Sequence, residues 1–248
     1  MAHRIWFRIA AFATRRRPRP ERRVRCGAAP TLTALAAAAL LAGSIGIARA
    51  QDGTFSVNLR LLAALRHGDA AAIDGALHDG ASVDFRNRLG ETPLLAVLKK
   101  KRFDLAQALL DKGADVNEAA INGVTPLMAA AYAGNAEFVR KLLDKGAATS
   151  PVDRVGKNAM TYAAGEGHTD IVKLLLARGV DPNAVYTNNL TALMWAAGYG
   201  QTDTVRALLD AGARKDLVDN RGKTALEMAS EFKHAQTVAV LQAAKPGH

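Results

Sequence analysis

Two sets of marker residues recur along this chain at one interval, and that interval restricts what the chain can fold into. Thr92, Thr125, Asn158, Thr191 and Thr224 follow one another at 33 residues, and so do Gly80, Gly113, Gly146, Gly179 and Gly212. A constant period in two independent columns means a stack of one supersecondary unit, each burying its apolar face against its neighbours. A single closed core built from unlike elements would leave no such trace.

The best-formed unit runs from Ile121 to Ala147 with the sequence INGVTPLMAAAYAGNAEFVRKLLDKGA. Thr125 suits a helix N-cap, and Pro126 suits the first helical position, where an N–H would have no partner in any case. Gly134 ends that helix. A second helix is expected from about Ala136 to Lys145, with Phe138, Val139, Leu142 and Leu143 on one apolar stripe, and Gly146 closing it in a left-handed conformation. Gly123, Gly156 and Gly222 mark a turn that needs positive φ, and Asn189, the usual second choice, fills that column in another unit. The expected fold class is therefore all-α, a solenoid of paired antiparallel helices joined by hairpin-like loops.

The units divide as 54–86, 87–119, 120–152, 153–185, 186–218 and 219–245, after a short linker over 51–53. In the first, Leu61, Leu62, Ala63 and Ala64 stand in the first-helix core columns, and Ala72, Ile73, Ala76 and Leu77 in those of the second. Leu59 and Arg60 replace Thr-Pro there, as expected of an end unit with one side in water. The last unit turns polar at Gln236 and Gln242, which reads as a C-terminal cap. Six units of 33 residues make 198, the length from Gln51 to His248, so no separate catalytic domain is expected.

Thr-Pro-Leu, paired alanines, Gly, Leu-Leu and Gly-Ala at this period resemble the ankyrin repeat. The resemblance covers nearly all of Thr54 to Leu241. Ankyrin repeats commonly carry His after Thr-Pro-Leu to tie neighbouring units together, whereas this chain has Leu95, Met128, Thr161, Met194 and Glu227. Those ties are expected to be replaced, in part by Met and Leu packing.

The whole chain carries 33 Lys and Arg against 23 Asp and Glu, which by itself would suggest an anionic partner. Location removes that reading. Ten of the basic residues, all arginines, and one acid lie before Gln51, leaving the remainder at a net charge of +1. A nearly neutral body exerts little long-range pull on DNA or RNA, so no nucleic-acid partner is expected. The first fifty residues themselves resemble an export signal: an arginine-rich leader, an uncharged Ala- and Leu-rich run from Gly27 to Ala48, and the small-x-small sequence Ala48-Arg49-Ala50. Cleavage after Ala50 and a periplasmic or secreted location are expected, with retention as a membrane anchor the alternative. Cys26 is the only cysteine, and it lies in the leader.

Catalytic constellations are not expected. Among His67, His78, His168, His234 and His248 no two have the i, i+4 spacing of metal ligands, and His168 and His234 share one column, which suggests a structural role. Gly165-Glu166-Gly167 and Gly198-Tyr199-Gly200 lack the third glycine and the preceding strand of a phosphate loop. Asp111-Lys112-Gly113 and Asp144-Lys145-Gly146 read as solvated last turns before a glycine cap. No cofactor and no metal are expected.

As the resemblance implies, the binding surface would be the concave groove formed by the loop fingers and the exposed side of the first helices. Its candidate partner-binding residues are Lys99, Lys100, Val124, Tyr132, Lys157, Tyr162, Glu166, Leu190, Trp195 and Tyr199. Trp195 and Tyr199 are one helical turn apart and should share a face. Tyr162 and Trp195 have a rival reading as packing between adjacent first helices. Lys99-Lys100-Lys101-Arg102 reads either as a solvated helix end or as a contact for an acidic patch. The expected function is non-catalytic binding of another protein by a monomer, as an accessory or protective factor in the cell envelope. The alternative is an inhibitor of a toxin or enzyme, or an exported effector.

Overall fold

The computed structural model describes residues 56–244. The export-signal reading, its cleavage site and Cys26 fall outside that range. Six helix pairs follow one another: α1 (56–67) and α2 (Ala70–His78), α3 (Pro93–Lys99) and α4 (Phe103–Asp111), α5 (Pro126–Ala133) and α6 (Ala136–Asp144), α7 (Ala159–Glu166) and α8 (Thr169–Ala177), α9 (Ala192–Gly198) and α10 (Thr202–Asp210), α11 (Ala225–Glu231) and α12 (Ala235–Ala243). No strand occurs among the described residues. First helices pack on first helices of the next pair and second helices on second helices, which is the stacking that the period demands.

The first helices begin where the sequence says they should. Thr92, Thr125, Thr191 and Thr224 each accept the backbone N–H three residues on at 3.3 Å. Pro93 and Pro126 occupy the first turn. At the irregular Asn158, a capping box replaces this arrangement. Its side chain accepts the Thr161 N–H at 3.0 Å, while Thr161 Oγ1 accepts the Asn158 N–H at 2.9 Å.

The residue that ends each first helix lies at positive φ in every pair: Gly68, Lys101, Gly134, Gly167, Gly200 and Lys233. All four of these glycines also touch the next pair, Gly68 meeting Arg102. A Cβ on Gly134, Gly167 or Gly200 would come within 2.4, 2.3 or 2.6 Å of His168, Gln201 or His234. Those three side chains are the ties between neighbouring pairs. His168 Nε2 bonds the Tyr132 carbonyl at 3.2 Å, Gln201 Nε2 donates to the Gly165 carbonyl at 3.1 Å, and His234 Nε2 bonds the Gly198 carbonyl at 3.1 Å. Each satisfies a carbonyl that the end of an α-helix leaves without a partner.

A second tie uses the Gly-Ala-Asp-Val-Asn segment. Asn117 donates to the Gly146 carbonyl at 3.1 Å and accepts from the Ala148 N–H at 2.8 Å, and Asn183 repeats both bonds to Gly212 and Arg214 one pair later. Among the second helices, Thr169 pairs with Thr204 and Thr202 with Thr237, each at 2.8 Å between hydroxyl oxygens.

The column that carries His elsewhere in the resembled family is filled here by packing. Leu95, Met128 and Met194 are fully buried, Thr161 serves the capping box, and Glu227 stays exposed while its carboxylate caps the Thr224 N–H at 2.7 Å. The core is one continuous apolar stripe running from Leu61 to Leu241.

One sequence expectation needs correction. In the first pair the helix is already present at Ser56, and its buried face is Leu61, Ala64 and Leu65, while Ala63 and Ala72 point to solvent. The end unit keeps helical i, i+3, i+4 spacing but not the register of the later units. In the second helices the deepest leucines are Leu142 and Leu175. Leu143 is nearly as buried, and Leu176 is only half-buried.

Candidate functional site

The loops between pairs are five stacked fingers. Each closes on itself by the same two backbone bonds, as in Asn87 N–H to Glu91 O at 3.0 Å and Gly90 N–H to Asn87 O at 2.8 Å. In three fingers a carboxylate or amide at the first position braces the turn. Asn87, Asp153 and Asp219 each accept two N–H groups, two and four residues on. Neighbouring fingers are joined by Ile121 N–H to Leu89 O at 3.0 Å, Arg154 N–H to Asn122 O at 2.9 Å and Asn220 N–H to Asn188 O at 2.9 Å.

The fourth finger departs from this pattern. Thr187–Asn189 form a 3-10 turn in which Asn188 and Asn189 both have positive φ, and no rung joins Thr187 to Val155 among the described residues. Its first position is Tyr186, whose hydroxyl accepts Asn158 Nδ2 from the preceding pair at 2.9 Å. The two irregular residues of the sequence therefore meet. Asn158 caps its helix with the amide oxygen and donates to the tyrosine from the amide nitrogen.

Between the fingers and the first helices lies a row of aromatic rings crossing three pairs. Tyr132 sits edge-on to Tyr162 at 5.8 Å between centroids, and Trp195 stacks on Tyr199 at 6.0 Å with 17° between planes. Lys157 joins the two halves, its ammonium 4.0 Å from the Trp195 centroid and 5.3 Å from that of Tyr162. Tyr162 is also fixed at its tip, where the hydroxyl donates to Asp153 Oδ2 at 2.6 Å.

Gly165 lies beneath this row. It is buried, and a side chain there would begin 3.8 to 4.0 Å from Tyr199 and Trp195, whose rings lie across it. The same column holds Lys99, Tyr132 and Glu231 in other pairs.

The electrostatics follow from this enclosure. Burial pushes the Lys157 ammonium below its ordinary lysine value, against the pull of the Asp153 and Glu166 carboxylates. Tyr162 is pushed up by burial, by its bond to Asp153 and by that carboxylate's charge. Burial likewise raises Tyr199, with the negative charge of Glu166 adding to it. Tyr162 and Tyr199 therefore hold their protons more firmly than free tyrosines. Among the described residues no group of three or more His, Asp or Glu side chains is placed to hold a metal.

The ten candidate residues are thus sorted by the structure. Tyr132, Tyr162, Trp195 and Tyr199 come together in one row. Glu166 and Lys100 are exposed beside it, and Val124 and Leu190 are half-buried at the roots of their fingers. Lys157 is not the exposed groove residue that its column suggests: it is buried beneath Trp195. Lys99 pairs with Glu91, and Lys223 pairs with Glu231 in the same two columns with the charges exchanged. Tyr162 and Trp195 each pack on a neighbour, as one of their two readings has it, and each remains partly exposed.

Sequence reasoning overlooked Asp153, which braces a finger and anchors Tyr162. A signal for it was present in the recurrence of Asn87, Asp153 and Asp219 at 66-residue spacing. It also overlooked the exposed fingertips Leu89 and Val155.

A family model described as ankyrin repeats in three copies matches the chain over residues 60–153, 96–186 and 160–247. No curated protein matches it. Ankyrin repeats generally mediate protein–protein interaction and are typically non-catalytic, which agrees with a groove of packed rings and paired charges. The matches, the shared period and the stacked helix pairs together establish that this chain belongs to the ankyrin-repeat family.

Proposed function

We propose that the chain is a non-catalytic scaffold of the cell envelope that presents its concave groove to another protein, as an accessory or protective factor. The observation that carries this reading is the row Tyr132, Tyr162, Lys157, Trp195 and Tyr199, fixed across three pairs. Partly exposed aromatic rings held in place by packing lose little freedom on binding, and such residues dominate protein interfaces. Export is supported by the leader, the hydrophobic run and Ala48-Arg49-Ala50.

Affinity capture from an envelope fraction with the full chain, alongside its Trp195→Ala variant, tests this. Binding of the captured protein should weaken by at least about 2 kcal/mol, as for a central aromatic anchor. Stability in thermal denaturation should fall by about 1 kcal/mol, the scale of a ring–ammonium contact. Equal losses in both measurements would make Trp195 a packing residue only. Recovery of a foreign or secreted enzyme instead of a resident envelope protein would replace the accessory role with inhibition.

A further inference from the structure

We propose that the first three fingers and the adjoining concave face take a protein segment that is both acidic and rich in aliphatic side chains. This rests on the protein-binding reading above and specifies the partner's chemistry. The tips of these fingers are Arg88-Leu89, Ile121-Asn122 and Arg154-Val155, and the rungs from Ile121 to Leu89 and from Arg154 to Asn122 fuse them into one ridge. Leu89, Ile121 and Val155 are exposed at 63%, 59% and 56%, and Tyr132, on the first helix α5, at 45%. Three successive tips bearing large, solvent-facing aliphatic residues form a patch, not scattered single exposures.

The exposed charges on the three fingertips have one sign, while the exposed acid Glu166 lies off the tips, on α7 beside the aromatic row. Arg88, Lys100 and Arg154 are exposed and take part in no ion pair among the described residues. The nearby acids are already engaged. Glu91 is held by Lys99 and Asn87, Glu118 by Arg86, and Asp153 is buried with the Tyr162 hydroxyl and two backbone N–H groups on it. A partner here meets aliphatic surface and uncompensated positive charge together, so complementarity asks for apolar and carboxylate side chains in the same segment.

The second half of the ridge does not share this character. Its tips are Thr187, Asn188 and Asn220, with Arg221 drawn back onto Asp219. A peptide is the better match than a lipid surface, because the patch continues from the fingertips onto the first helices through Tyr132 on α5 and Lys100 at the end of α3.

The experiment is selection of a random twelve-residue peptide display library on the full chain at low salt, followed by binding of the recovered peptides to Arg88→Glu/Arg154→Glu and Trp195→Ala variants. Recovered peptides should be enriched in Asp or Glu together with Leu, Ile or Val. Their affinity should fall about ten-fold or more on the double charge reversal and should weaken as salt rises. Both arginines are exposed, so the reversal leaves the core intact, and an unchanged melting curve checks this. Peptides without acid enrichment, or with affinity indifferent to the reversal, would overturn the proposal. If such peptides were still lost on Trp195→Ala, the protein-binding reading would survive and only the acidic specificity would fail. Anionic phosphatidylglycerol vesicles bound in an Arg154-dependent manner, with no acidic peptides recovered, would assign the ridge to lipid and likewise overturn it.

Discussion

Tyr162 illustrates how one side chain serves both packing and recognition. Its ring meets Tyr132 edge-on, its hydroxyl is fixed by Asp153, and Lys157 lies within cation–π reach. Removing only the hydroxyl, as in Tyr162→Phe, should cost about 1–2 kcal/mol in denaturant unfolding, because the buried Asp153 carboxylate loses a donor. The pH dependence has a definite sign. The folded-state value of Tyr162 is raised, so its contribution is complete below the ordinary tyrosine range and disappears as pH climbs through the raised value. Wild type should therefore lose more stability than Tyr162→Phe between neutral and strongly alkaline pH; parallel losses would contradict the assignment. The Trp195–Tyr199 stack was legible in the sequence, since i, i+4 spacing fixes it within one helix turn. The burial of Lys157 was not, because the ring that covers it comes from the next pair, and a column position carries no record of what a neighbouring unit lays across it.

At the scale of the element, the ends of the first helices separate two kinds of residue in one backbone conformation. Gly167 and Lys101 both sit at positive φ, 79° and 58°, but only the lysine has a Cβ to strain there. Lys101→Gly should raise stability by up to about 1 kcal/mol, the left-handed strain relieved less the entropy that glycine adds to the unfolded chain. Gly167→Ala should lower it by at least about 1 kcal/mol, since the new Cβ is strained and displaces Gln201 from its bond to the Gly165 carbonyl. Thermal melts of the two variants should move in opposite directions, and shifts of one sign would refute the shared-column account. The glycine column and the threonine caps were readable because each is local chemistry repeated at a fixed interval. The first pair was less readable: Leu65 replaces Ala63 on its buried face, and no second copy of this unit exists among the described residues to reveal the register.

For the whole molecule, the governing fact is that each pair contacts only the pairs next to it, so stability is close to a sum of unit and interface contributions. Leu142, fully buried in the middle of the stack, should lose about 2–5 kcal/mol on truncation to Ala, and Leu176, half-buried, markedly less. Amide exchange should show the Leu142→Ala damage reaching the pairs on both sides before the ends of the array; a uniform loss throughout would contradict nearest-neighbour stacking. The same linear geometry explains why the period was enough to derive the fold, while the partner surface was only partly legible. Which residues face the groove follows from the repeat, but which charges remain uncompensated depends on pairings such as Glu91 with Lys99 that cross from finger to helix.

Backbone amide exchange of the full chain, measured alone and with the protein recovered by affinity capture, tests the central claim most directly. Slowed exchange should concentrate in the fingers and along α3, α5, α7 and α9, leaving the outward-facing second helices α4, α6, α8 and α10 unchanged. Protection centred on those second helices, with the fingers and first helices indifferent to the partner, would contradict it.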